Sequence, residues 1–311
     1  MTDHPPSRSE QRVWSKLPAG TRAALERDLA PTDLQTLLLA VARARAEKVT
    51  PARVMRRWRE DRFVRPSPHE ARKIARIEAQ LWDLLPSAFM GVELSPVVPL
   101  GTCALMASIS QNRIVSTVRG SEVVSDPTNA LAVEAAVRRQ IQRSDRVDLA
   151  ASHRVVRAQA FHRPGLFAHF RLFALVSSGR DRGSGRTEAQ MLKDHLGYWI
   201  TALAALLPAR DVRLTFTSFD CPVLQERFCD TVMPAILDTA PRIQLVHDRT
   251  RAQGAGYYSG AALAIYAHDG QDWVDVGDGG LTTWTRDLLG DHKERCLISC
   301  LATERLAALV G

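Results

Sequence analysis

Residues 155–177 alternate polar and apolar positions in two runs around Pro164-Gly165. This is the period-two pattern of an antiparallel hairpin. The alternation sets Arg157 and Gln159 on one face of the first run. It sets His169, Arg171, Phe173 and Leu175 on one face of the second. Such a ribbon suits holding a phosphate and stacking a base, and the same pattern describes a half-buried hairpin with an amphipathic exposed face. Elsewhere, apolar positions at helical spacing predict helices over 21–29, 31–47, 69–84, 129–141, 187–207, 223–237 and 304–309. Thr50-Pro51 opens a further helix, with threonine as cap and proline in the first turn. Extended segments are expected over 91–100, 117–124, 211–219 and 242–247. A hairpin is expected from 257–267 and 273–276 about His268-Asp269-Gly270, and a last strand over 293–301 after a break at Gly279-Gly280. Hairpins interleaved with helices read as α+β, an antiparallel sheet flanked by helices.

Charge divides the chain. Residues 1–65 hold 14 Lys and Arg against 8 Asp and Glu, most of the net +7 of the whole. Arg65-Pro66-Ser67-Pro68 reads as a linker, giving a basic helical N-terminal module (1–65) and a larger core (66–311). Arg53, Arg56, Arg57, Arg59, Arg62 and Arg65 suit either a solvated face or a nucleic-acid contact through residues 53–65. The longest apolar runs fall short of a membrane span, the N-terminus lacks the apolar core of a secretory signal, and the five cysteines form no CxxC pair. A cytoplasmic protein with reduced thiols, no disulfide framework and no membrane association is the expectation. The run 177–186 (SSGRDRGSGR) is glycine-rich and basic but has no P-loop spacing, and reads as a loop.

Arg157-Ala158-Gln159, a loop, then His169-x-x-x-Phe173 resembles motif 2 of class II aminoacyl-tRNA synthetases. The helix over 69–84 with the proline-ended strand resembles motif 1, which builds a dimer interface. The last strand and helix, with Glu304-Arg305-Leu306, resemble motif 3. Gly254–Gly260 (GAGYYSG) resembles the tyrosine-pair loop of the histidyl branch, and Asp126-Pro127-Thr128 its segment that contacts the substrate amino group. The resemblance spans about residues 69–311. It implies a homodimer that uses ATP and Mg²⁺. Arg157 would act on the α-phosphate as the catalytic group. Gln159, His169, Phe173 and Arg305 would join it around the nucleotide, with Phe173 and Arg305 sandwiching adenine. Asp126, Thr128, Gln253, Tyr257 and Tyr258 would hold an amino acid or related carboxylate.

Several positions depart from that pattern. Gln159 replaces the motif 2 glutamate. Ile298 and Ala302 stand where small residues open the adenine pocket, so a narrowed nucleotide pocket is expected. Gln253 replaces an arginine and Gly256 an aspartate, which argues against histidine as substrate. No anticodon-binding segment follows the motif 3 helix, so an acceptor other than tRNA is expected. Three functions follow: an adenylate-forming ligase; a non-catalytic paralogue serving a protein partner, as the regulatory subunit of ATP phosphoribosyltransferase does; or a nucleic-acid-binding protein acting through its basic helices.

Overall fold

The structure is a computed structural model that describes residues 6–142, 146–159, 167–239 and 243–310. The first helices are α1 (Arg8–Trp14), α2 (Thr21–Ala23, continued by a wider turn over Ala24–Asp28), α3 (Pro31–Ala46) and α4 (Pro51–Glu60), and none of them holds a buried residue. Thr50 caps α4 by accepting from the Arg53 amide, with Pro51 behind it, as the Thr-Pro pair predicts. In α5 (Ala71–Asp83), Ile74, Ile77 and Leu81 are buried on one stripe. Then come β1 (Met90–Gly91), β2 (Val97–Pro99), α6 (Thr102–Ala107), β3 (Ser121–Val123) and α7 (Pro127–Gln142). The long strands β4 (Arg146–Val156) and β5 (His169–Arg180) lead to α8 (Arg186–Leu206), β6 (Val212–Ser218), α9 (Pro222–Arg227), α10 (Met233–Thr239) and β7 (Gln244–His247). The chain closes through β8 (Ala261–His268), β9 (Trp273–Thr282), α11 (Trp284–Leu289), β10 (Glu294–Ala302) and α12 (Thr303–Leu309).

Among the described residues, β1-β4-β5-β10-β9-β8-β6-β7 form one eight-stranded sheet. Its interior pairings are antiparallel, and the edge pairs β1·β4 and β6·β7 are parallel. Strand alternation divides two cores. Phe173 and Leu175 of β5 face α5 and α8, packing with Leu81, Leu196 and Trp199. Leu172, Ala174 and Val176 face the other way, toward α7 and the Tyr257–Tyr258 pair.

Three expectations change. The 91–100 strand is broken, because Pro96 and Pro99 remove ladder donors. Gly91 pairs with β4 as the end of β1, and Val97–Pro99 pairs with β3 in a small separate two-stranded sheet. Gly279-Gly280 is no break: β9 runs through Gly277, Gly279 and Gly280. A Cβ at the first two would strike the carbonyls of Cys300 and Ile298 on β10, and at Gly280 it would strike the Tyr258 ring. These glycines permit close approach, as strand glycines do. The run 177–186 supplies the end of β5 and a turn into α8, where Asp181 Oδ2 pairs with Arg295 at 2.7 Å. The Pro164-Gly165 turn lies outside the described residues.

Candidate functional site

The site lies on the α7 side of the sheet, where β4 ends. β4 stops at Val156, so Arg157 and Gln159 project just beyond the strand, while the Arg157 amide still donates to Ala168 O at 2.7 Å. A cavity of ≈ 370 Å³ opens there. It is lined by Asp126, Thr128 and Asn129 at the start of α7, by Arg157 and Gln159, by Arg251, Gln253, Tyr257 and Tyr258 before β8, and by Asp278, Ile298 and Cys300 of the sheet. The sequence reading named seven of these: Asp126, Thr128, Arg157, Gln159, Gln253, Tyr257 and Tyr258.

The polar groups are held firmly. Asp126 Oδ1 accepts from the Thr128 amide (3.0 Å) and hydroxyl (2.7 Å), the geometry of an N-terminal helix cap. Its Oδ2 takes Arg157 Nη2 at 3.0 Å, while Arg157 Nε donates to Ser125 O at 3.0 Å. The Arg157 guanidinium lies over the Phe170 ring, 5.0 Å from its centre. Tyr257 meets Tyr258 edge-on at 4.7 Å. The Tyr258 hydroxyl donates to Asp278 Oδ2 at 3.1 Å, and Gly280 leaves room for the ring. Burial drives both phenol pKa values far up, and nearby carboxylates add to it, so the tyrosines stay neutral donors. Depth in the protein also raises the Asp278 pKa, assisted by Asp126 and Asp275. Asp278 is nevertheless exposed, because its side chain faces open cavity, so water screens part of that effect. Burial and the Asp278 carboxylate push the Cys300 thiol up, which keeps it protonated and a weak nucleophile.

A second cavity of ≈ 720 Å³ adjoins the first and shares Arg157, Gln159, Asp278 and Cys300 with it. Phe170, Arg171, Asp275, Ala302, Glu304 and Arg305 line the rest. Arg305 Nη1 is 2.7 Å from Asp275 O and 3.3 Å from its carboxylate. Glu304 Oε1 accepts from Arg154 (2.6 Å) and Ser67 (3.0 Å).

Several buried polar atoms make no hydrogen bond among the described residues: both amide atoms of Asn129 and Nη1 of Arg251 in the first cavity, and Arg171 Nε and Glu304 Oε2 in the second. Buried polar groups are nearly always satisfied, so these atoms stand out among the residues that line the two cavities. Among the described residues no three metal-binding side chains gather.

Two expected residues stand elsewhere. Phe173 is fully buried on the far face, 4.7 Å from Trp82 and beside Tyr198 and Trp199, and lines neither cavity. The phenylalanines at the second cavity are Phe167 and Phe170, the latter three residues before Phe173 and on the opposite face of the strand. His169 is tied to Arg154 Nη1 (2.9 Å) and Arg65 O (2.7 Å), also outside both cavities. Of the two residues expected to narrow the nucleotide pocket, Ile298 lines the first cavity and Ala302 the second. Sequence reading missed Arg251, which reaches the first cavity from two positions before Gln253, as well as Asn129, Asp278 and Cys300. The one available signal was the acid between two strand glycines at Gly277-Asp278-Gly279. The N-terminal segment reaches this region too: Arg62 donates to the carbonyls of Ala158 (2.8 Å) and Gln159.

No family model matches the chain, and no curated protein matches it in sequence. Solved structures do resemble it. It superposes on apo histidyl-tRNA synthetase of S. aureus with a TM-score of 0.58 at 15% identity, over 78% of this chain and 67% of that one. An ATP phosphoribosyltransferase regulatory subunit/histidyl-tRNA synthetase from Bacillus halodurans gives 0.59 at 11%, over 80% and 84%. A histidine–tRNA ligase subunit from Alicyclobacillus acidocaldarius gives 0.53 at 13%, over 78% and 94%. At such identities the likeness concerns the fold alone, and it agrees with the antiparallel sheet flanked by helices: the chain has a class II synthetase-like fold, similar to that of histidyl-tRNA synthetase.

Proposed function

We propose that this protein binds an amino acid or related amine-bearing carboxylate in the first cavity and ATP in the second, and joins them as an adenylate. The observation that carries the reading is the meeting of the two cavities at Arg157, with unpaired buried polar atoms in both walls. Asp126 and Asp278 offer carboxylates to a substrate ammonium, and Tyr257 and Tyr258 stay neutral. Asn129 and Arg251 offer unpaired donors to a carboxylate or side chain. In the second cavity Phe170 supplies the aromatic face for adenine and Arg305 a guanidinium, in a space within the range of small-molecule sites. A substrate carboxylate oxygen would attack the α-phosphorus, form the acyl–phosphate bond and expel pyrophosphate. Arg157 stands where the two substrates meet and would offset the charge that builds there. Magnesium would travel with the nucleotide phosphates, and no step is assigned to it. Pairing through α5 and the 90–99 segment would make a homodimer, the commonest closed assembly.

A second reading has its own support. Arg157 is occupied by Asp126 and Arg305 by Asp275. Such internal pairing suits an amino-acid-sensing subunit that serves a protein partner without catalysis. Thermal melts with each amino acid, alone and with ATP, separate the two, because a bound ligand raises the melting temperature by mass action. A ligase responds to ATP, and to one acid further. A sensor responds to an amino acid and not to ATP.

A further inference from the structure

The N-terminal helices carry a second site, independent of the two cavities. Between the end of α3 and α4 runs a groove of ≈ 860 Å³. Val41, Val49, Val54, Trp58 and Val64 give it an apolar lining. These side chains are well exposed, Trp58 at 53%. A cluster of exposed large apolar groups on helices that bury nothing marks an interaction surface. The rim is charged with one sign: Arg45, Lys48, Arg53 and Arg57 line the groove and no acid does. Arg57 pairs with Asp61 at 2.6 Å, whereas Arg45, Lys48 and Arg53 make no ion pair among the described residues.

We infer that this groove docks an acidic amphipathic helix of another protein, its apolar stripe against the valines and Trp58 and its carboxylates against the rim. Helix-in-groove recognition needs this combination of an apolar floor and a flanking charge of opposite sign to the ligand. Two other occupants fit less well. Single-stranded nucleic acid without sequence preference is held by stacking on aromatic rings, and the apolar lining here is aliphatic but for one tryptophan; a duplex is held by phosphate contacts alone and would leave these apolar groups uncovered. A second copy of the chain offers no acidic excess, since residues 66–311 carry 27 Lys and Arg against 26 Asp and Glu.

The test uses the full-length protein and a fluorescein-labelled synthetic helix with leucines on one face and glutamates on the other, followed by anisotropy. Saturable binding is expected, weakened by added salt. Trp58→Ala, and separately Arg53→Glu with Arg57→Glu, should each weaken it roughly tenfold or more. The same helix with lysines for glutamates should not bind. Circular dichroism and melting of each variant confirm that the helices remain, and Trp58→Gln is a second variant should Trp58→Ala lose them. Any of four results overturns the proposal: no binding of the acidic helix, equal binding of the lysine helix, an oligouridine that binds in its place, or concentration-dependent self-association in sedimentation that Trp58→Ala abolishes.

Discussion

Replacing Gly280 by alanine tests whether the glycines of β9 are there to seat Tyr258 at the site. A Cβ at this position would enter the Tyr258 ring and crowd Ala261 O, and a backbone carbonyl in a central strand cannot swing aside. Forcing a methyl group into a packed interior costs about 1–3 kcal/mol. Alanine also stiffens the unfolded chain, which returns roughly 0.4–1 kcal/mol. The net is a loss of about 1–2 kcal/mol. At about 2–4 °C per kcal/mol for a chain of a few hundred residues, the melting temperature should drop by roughly 2–8 °C. Gly197 is the internal control. It lies inside α8, and an added Cβ there meets nothing within 4 Å. Gly197→Ala should therefore stabilise, by up to about 1 kcal/mol. Scanning calorimetry on both variants decides. A Gly280→Ala protein as stable as the parent, or a Gly197→Ala protein less stable, would refute the packing argument.

Other outcomes follow from the same structure. Phe173→Ala should cost about 3–5 kcal/mol in denaturant unfolding, as removal of a buried aromatic does, whereas Phe170→Ala at the cavity should cost less stability and more ATP affinity; the reverse order would restore Phe173 to the site. Arg157→Ala removes a half-exposed ion pair and one hydrogen bond to Ser125 O, about 1–2 kcal/mol together, so its melting temperature should fall by only a few degrees while any adenylation falls roughly 100-fold or more; equal losses in both would mark a purely structural residue. His195 is buried beside Ser177 and Ser299, and burial holds its pKa well below the ordinary 6.5. The unfolded chain therefore takes up a proton there first, so stability is complete above pH 6.5 and falls as the pH drops below it, by up to about 1.4 kcal/mol per pH unit from this group. Urea midpoints between pH 8 and 5 should show the decline, and His195→Gln should flatten it.

Much of the core could be read from the chain because its elements are strongly periodic. The α8 stripe of Leu192, Leu196, Trp199 and Leu203 and the α5 stripe of Ile74, Ile77 and Leu81 are buried as the spacing predicts. Asp126, Arg157 and the two tyrosines, read from the chain as neighbours, converge on one cavity. What failed was the choice of face. His169-Phe170-Arg171-Leu172-Phe173 carries an aromatic on each side of β5, and period two alone does not say which side is core. The bulk of α5 and α8 decides it, and that is a tertiary fact. Arg251 escaped notice for a similar reason: a loop places its side chains by its turns, so the cation arrived two residues from where a fixed spacing would put it. The glycines of β9 were read as a break because a sequence shows their missing side chains and not the strand that needs the room.

The central claim is that two substrates meet at Arg157. ATP–pyrophosphate exchange, measured on the wild-type protein against a panel of amino acids and simple amine-bearing carboxylates, tests it most directly. Exchange is expected with one member or a narrow group of the panel, abolished by Arg157→Ala and sharply reduced by Phe170→Ala. Absence of exchange across the panel, with a melting temperature that ATP leaves unmoved, would contradict it and leave the core as a binding module.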